Sequence, residues 1–321
     1  MVHAVQDMAT IAGGLAGLAG AGGAVSVAIL RRSRPHLPAG HALTCPDTAD
    51  PLPTVLKLGL AGMTVRAAPG PHGELYLGPG GPQPGRTLRR LVLAPLFARA
   101  AAGGGRLWPD QRVPFRLVIE FGGTSRDPQA LLRAFRVLDR QLQDHASLLS
   151  RCHGELLTPG AVTVTVTGVI DVRELLAARA ERCAFADGSF DDLGSRFAPP
   201  SLVPMISEPW SRRFGWDGQE PITAEERHQL HALIRAAHDD GRAVRISGLP
   251  DGSRKARAAI WTELGSAGVD VIADTDLTGL ARHLRRHPVT GAPRPHLPTR
   301  AVRRSAPRPN APRTVGRHET V

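Results

Sequence analysis

Lysine is nearly missing from this chain of 321 residues: of 40 basic residues only Lys57 and Lys255 are lysines, so the net charge of +11 is carried by arginine, as a GC-rich coding bias would leave it. Aromatic residues are scarce too, at 4%, and none interleave with a basic patch. That excludes the charged stacking surface of a nucleic-acid-binding protein, and no nucleic acid is expected as a partner. The three cysteines, Cys45, Cys152 and Cys183, lie far apart without a CxxC pair. A disulfide framework and a cysteine metal site are thereby excluded, and small buried side chains remain. No GxGxxG follows the first predicted strand, which argues against a dinucleotide-binding fold.

What is present is a hydrophobic content of 42%, enough for a large core in one barrel-sized domain or two smaller ones. The charge is unevenly placed: residues 1–34 carry +2, residues 288–321 carry +6, and 35–287 are left with +3. Residues 8–30 form an uncharged run of 23 residues, long enough to cross a hydrocarbon core of about 30 Å. Gly13 and Gly17 would let two such helices approach closely. A membrane anchor or uncleaved signal is one reading of 1–34; a cleaved signal peptide or flexible leader is the other. No basic flank precedes the run, and Arg31, Arg32 and Arg34 follow it, which favours a cytoplasmic carboxyl side on charge alone. Residues 288–321 hold seven prolines and seven arginines with few apolar side chains, so a disordered tail is expected there. Such a tail could be drawn electrostatically to anionic lipid or polymer.

Between these ends, short apolar strands alternate with amphipathic helical patterns. Strands are expected at 41–45, 63–67, 115–121, 161–168, 182–186, 202–207, 243–247 and 269–273. Helices are expected at 52–60, 87–102, 128–149, 172–180, 223–240, 253–266 and 276–287. Thr223 with Glu226 reads as a capping box. Strict alternation implies a parallel sheet with right-handed crossovers, and eight units in about 250 residues fit a single (β/α)8 TIM barrel over 35–287 better than an open sheet.

The chain is organised around residues 59–80. Alternation puts Thr64 and Arg66 on one face of the second strand and Met63, Val65 and Ala67 on the other, and a Pro/Gly break then leads to a second extended piece at 74–77. In this layout the segment resembles the glycerophosphodiesterase and phosphatidylinositol-phospholipase-C-like superfamily, nearest its bacterial branch related to "altered inheritance of mitochondria protein 6". Further matches in order are Gly73-Glu74-Leu75-Tyr76-Leu77, Arg86-Thr87-Leu88, Arg173-Glu174-Leu175-Leu176-Ala177, Asp192-Leu193-Gly194-Ser195, residues 201–207, Trp210, and Ala236-Ala237-His238 to Gly241-Arg242. The resemblance spans roughly 35–287 and implies a TIM barrel. It also implies phosphodiester hydrolysis assisted by calcium or magnesium, and export to the cell envelope.

The family's reactive groups do not carry over. Its Glu-x-Asp positions fall on Thr64 and Arg66, its returning His on Pro79, and its His-Ala-His-Asn-Asp run on His41-Ala42-Leu43-Thr44-Cys45, where only the first His is kept. A divalent cation prefers carboxylate oxygens, whereas Arg66 brings a positive charge of its own, so no cofactor is expected. Glu120 matches a further acidic position, and an Arg66–Glu120 ion pair is expected to fill the emptied cation site. Arg66 could instead receive a phosphate or anionic head group through its planar fork. Candidate binding residues are thus Arg66, Glu120, Arg245 and Thr64, with His41 as a residual catalytic candidate. Asp274 and Asp276 are expected at the functional end, Asp276 as a helix cap. Asp187, Asp191 and Asp192 are a second place for a cation or a solvated loop, and Trp210, Phe214 and Trp216 either a lipid-facing lip or a packed loop. Two functions follow: a non-catalytic, envelope-associated barrel binding an anionic or phospholipid-like molecule or a partner, or an active phosphoric diester hydrolase with a displaced metal site.

Overall fold

The computed structural model describes residues 35–43, 50–78, 81–121, 128–168 and 172–289. Twelve strands are β1 (Leu37–Leu43), β2 (Leu60–Pro69), β3 (Leu75–Leu77), β4 (Phe115–Phe121), β5 (Arg151–His153), β6 (Leu156–Thr158), β7 (Val162–Gly168), β8 (Glu181–Arg182), β9 (Ala184–Ala186), β10 (Met205–Pro209), β11 (Ala243–Ser247) and β12 (Val271–Asp274). Seven α-helices are α1 (Leu52–Leu58), α2 (Ala94–Ala102), α3 (Pro128–Gln143), α4 (Arg173–Ala177), α5 (Ala224–Asp239), α6 (Arg254–Ser266) and α7 (Leu277–Arg286).

Eight strands pair in the order β10-β11-β12-β1-β2-β4-β7-β9, every pairing parallel, and β3 adds antiparallel to β2. The sheet curls until its edges touch. One parallel bridge joins Gly188, just past β9, to Ile206 of β10, with Ser207 N–H donating to the Gly188 carbonyl at 2.8 Å. A Cβ at Gly188 would overlap the Val203 side chain, so the edges meet there because that residue has none. The arrangement is TIM-like, with helices outside and chemistry-bearing positions at the carboxyl ends of the strands.

Period-2 patterning explains the two faces. Met63, Val65 and Ala67 of β2, and Val162, Val164 and Val166 of β7, are buried in the main cluster between sheet and helices. Val118, Met205, Ala243 and Val271 close a separate apolar cluster inside the curl, toward the amino ends of the strands.

Several boundaries differ from expectation for identifiable reasons. The expected fifth strand is split: Glu181–Arg182 pairs antiparallel with β5, and only Ala184–Ala186 joins the parallel sheet. The stretches β5, β6 and β8 form a small antiparallel sheet packed by Cys152, Leu157 and Phe185, and two- or three-residue strands leave no periodicity to read. The 87–102 helix opens with a π turn over Arg89–Leu93, because Pro95 has no N–H to continue the α ladder onto Leu91. The helix expected to reach 149 stops at Gln143, and Leu149 is drawn into a bridge with Val162. Thr223 caps α5, but the expected capping box is not completed: Glu226 Oε1 instead accepts the N–H groups of Gly215 and Trp216 and fixes the aromatic loop. The full capping box lies elsewhere, at Ser189 and Asp192. Residues 1–34 and 290–321, with the expected anchor and tail, lie outside the described residues. Among the described residues no helix is long and apolar enough to cross a membrane.

Candidate functional site

The site at the carboxyl mouth of the sheet is centred on Thr64. Its hydroxyl lies 2.8 Å from His41 Nε2 and accepts from Arg245 Nη2 at 2.9 Å. Thr64 is on β2 and Arg245 on β11, with β12 and β1 between them in the sheet order, so this bond spans the interior rather than following a ladder. His41 is fully buried, and it can lie flat on β2 because a Cβ at Gly62 would overlap His41 Nδ1 and the Arg116 carbonyl.

Arg66 and Glu120 are register partners on adjacent strands and point the same way. The guanidinium donates through Nε at 3.2 Å and Nη2 at 2.8 Å to one carboxylate oxygen, Oε1. Their side chains remain 48% and 35% exposed. A pair so wet contributes about 1 kcal/mol or less to stability, so a ligand that displaces Glu120 from Arg66 meets little resistance.

Deeper in, Arg245 is buried, and beside it lies Asp187, reached by the chain immediately after β9. Burial raises the Asp187 carboxyl above the usual carboxylate range. The Arg245 charge, the Gly188 N–H at 3.2 Å and the neighbouring Ser207 and Thr167 hydroxyls pull it partly back. Burial pulls the Arg245 guanidinium down, and Asp187 and Glu120 partly restore it. His41 is held well below the ordinary imidazole range, first by burial, then by the Arg245 and Arg116 charges, so it is neutral at physiological pH. A cleft of about 260 Å³ opens at the ends of β7 and β9, lined by Thr167, Gly168, Arg173 and Asp187 among others.

The structure therefore brings His41, Thr64, Arg66, Glu120 and Arg245 to one end of the interior. Sequence reasoning placed Asp187 on a loop with Asp191 and Asp192; it belongs to the interior, apart from the other two. The signal was its place two residues beyond Phe185, on the same strand face. Asp192 is held by Arg173 at 2.7 and 2.8 Å, and Asp191 by Arg212 and Arg213 at 2.8 and 2.6 Å, so arginines occupy the oxygens a cation would need. Asp274 does not face the mouth: its oxygens bind Arg257 Nη1 and Trp261 Nε1 on α6. Asp276 caps α7 through Gly279 N–H. The aromatic loop is packed rather than lipid-facing, since Trp210 and Phe214 are buried with rings 4.4 Å apart and Trp210 Nε1 donates to the Trp216 carbonyl. Thr44, Cys45, Pro79 and Gly122 lie outside the described residues.

Calcium or magnesium does not fit the residues present. Thr64 offers a neutral hydroxyl and Arg66 a cation, and the carboxylate beside them, Glu120, is already bonded to Arg66. Among the described residues no three His, Cys, Asp or Glu side chains come close enough to share a metal ion.

No family model matches the chain, and no curated protein matches it. Among solved structures, similar ones include a glycerophosphoryl diester phosphodiesterase from Parabacteroides distasonis ATCC 8503, at 12% identity and TM-score 0.47, covering 81% of this chain and 90% of that one. A protein described as a glycerophosphoryl diester phosphodiesterase from Silicibacter pomeroyi DSS-3 has 12% identity and TM-score 0.42, covering 81% and 97%. The malate synthase of Haloferax volcanii also matches, at 11% identity and TM-score 0.33, covering 79% and 71%. Overlaps this loose decide neither the family nor the chemistry.

Proposed function

We propose that the chain is a TIM barrel of the glycerophosphodiesterase and phosphatidylinositol-phospholipase-C-like kind that has given up metal-assisted hydrolysis and binds an anionic, phosphate-bearing or phospholipid-like molecule at the mouth. The observation that carries this reading is the Arg66–Glu120 pair, a weakly held guanidinium at a position where the family resemblance would call for a metal-binding carboxylate. Arg66 supplies a planar fork for two phosphate oxygens, Arg245 supplies a second positive charge behind it, and Thr64 orients Arg245. His41, neutral and hydrogen-bonded to Thr64, has no second imidazole beside it among the described residues to complete an acid–base couple. The envelope association read from residues 1–34 belongs to the same proposal. The other reading, an active phosphoric diester hydrolase, needs a displaced metal site, and the engagement of Asp191 and Asp192 with arginines argues against one.

The test is calorimetric titration of the full chain with glycerol phosphate, alongside thermal melting with calcium or magnesium. Binding that needs no metal and is lost in Arg66→Ala supports the proposal. Stabilisation by the metal together with turnover of a generic phosphodiester overturns it, and unchanged affinity in Arg66→Ala removes Arg66 as the receptor.

A further inference from the structure

A second concentration of positive charge lies outside the curled sheet, in a cleft of about 400 Å³ between α6 and α7. Arg254 contributes from α6 and Arg282 and Arg286 from α7, while His283, its imidazole lowered by burial and by His287, has its ring 5.3 Å from Trp261 and 4.8 Å from that of His287, just past α7. None of the three arginines has an acidic partner among the described residues, and all are exposed. The one carboxylate in the lining, Asp276, is turned onto Gly279 N–H at 2.8 Å, and nearby Asp274 is spent on Arg257 and Trp261.

Helix electrostatics account for part of this only. Arg286 and His287 sit at the carboxyl end of α7, where cations complement the helix dipole. Arg254 is the first residue of α6 and Lys255 the second, with no acidic residue in that turn. Cations there oppose the dipole, and nothing among the described residues neutralises them. Arg282 and Arg286 are one turn apart, about 6 Å along α7, and Arg254 lines the other wall of the cleft from the amino end of α6. Cations so spaced suit an anion whose charges are strung along its length and exceed the reach of a single phosphate.

We propose that the α6–α7 cleft is a binding site for an oligophosphate, a short run of linked phosphate groups free or at the end of a small molecule, held by Arg254, Arg282 and Arg286. The site is separate from the mouth and does not depend on the reading of Arg66. Its test is calorimetric titration of the full chain with inorganic tripolyphosphate, with the imidazole resonances of His283 followed by NMR. The expected result is saturable binding that shifts His283, weakens about tenfold or more in Arg282→Ala/Arg286→Ala, weakens again with Arg254→Ala, and is unchanged in Arg66→Ala. These exposed substitutions leave the fold intact, which melting curves check. Absence of binding, binding that survives the α7 double variant as adsorption to the arginines of 290–321 would, or binding abolished by Arg66→Ala overturns the proposal.

Discussion

The foot and the mouth of the sheet interior are built by the same strands, one inward-facing position apart. On β4 the step runs from Val118 to Glu120, on β10 from Met205 to Ser207, and on β11 from Ala243 to Arg245. Over a rise of about 7 Å the lining passes from a closed apolar cluster to ionised and hydroxyl groups. The cluster at the foot is thus apolar throughout, while the mouth holds charges, of which the exposed Arg66–Glu120 pair at the rim stabilises little. Both linings come from adjacent positions in one pleat.

Exchanging the character of the two layers should break that division most sharply. Val118→Glu puts a carboxylate among Met205, Ala243 and Val271 without a partner, and is expected to cost at least about 4 kcal/mol in chemical denaturation. Next in size is Arg245→Met, which leaves the partly buried Asp187 without its cation. A loss of roughly 3 kcal/mol is expected, and the added Asp187→Asn change should recover part of it.

Titration separates foot from mouth in another way. His36, at the foot against Trp108, has its imidazole lowered to about 4 by burial, with Asp110 opposing and Arg116 assisting. The unfolded imidazole takes a proton below its ordinary 6.5 while the folded one stays neutral, so stability falls as pH drops from about 6.5 to about 4. The loss is on the order of 3 kcal/mol, and His41 adds to it with the same sign. Denaturation midpoints for His36→Phe should show a flatter slope across that window. The smallest effect is expected at the rim, where Glu120→Gln changes stability by no more than about 1 kcal/mol. If that variant instead loses several kcal/mol, the rim pair is structural and the contrast with the foot disappears.

Much of this was legible in the sequence where one periodicity runs long enough. The β11 boundaries are those read from Ala243 to Ser247, and the caps at Thr223 and Asp276 follow from side-chain chemistry alone. The Val/Thr alternation of β7 announced one apolar and one hydroxyl face. Thr64 and Arg66 share a face by alternation, and the meeting of Arg66 with Glu120 follows by strand adjacency. What could not be read depends on distant partners. Arg182 leaves the parallel sheet as its guanidinium reaches the Ser201 carbonyl, Glu226 is diverted from its cap by Gly215 and Trp216, and Asp187 turns inward only because Gly188 lets the edges close.

That closure has a dynamic consequence. Seven of the eight joints around the curl are ladders of paired strands, whereas the β9–β10 joint has one bridge, the Ser207–Gly188 bond beside it, and the bonds from Ala186 N–H to the Leu202 carbonyl and from Phe190 N–H to Glu208. A ring with one thin weld opens there first, so the amide of Ser207 should exchange its proton with solvent ahead of those in β2, β4 and β7. Because Asp187 adjoins that weld, each opening would loosen the hold of Ser207 and of the Gly188 N–H on its carboxyl group.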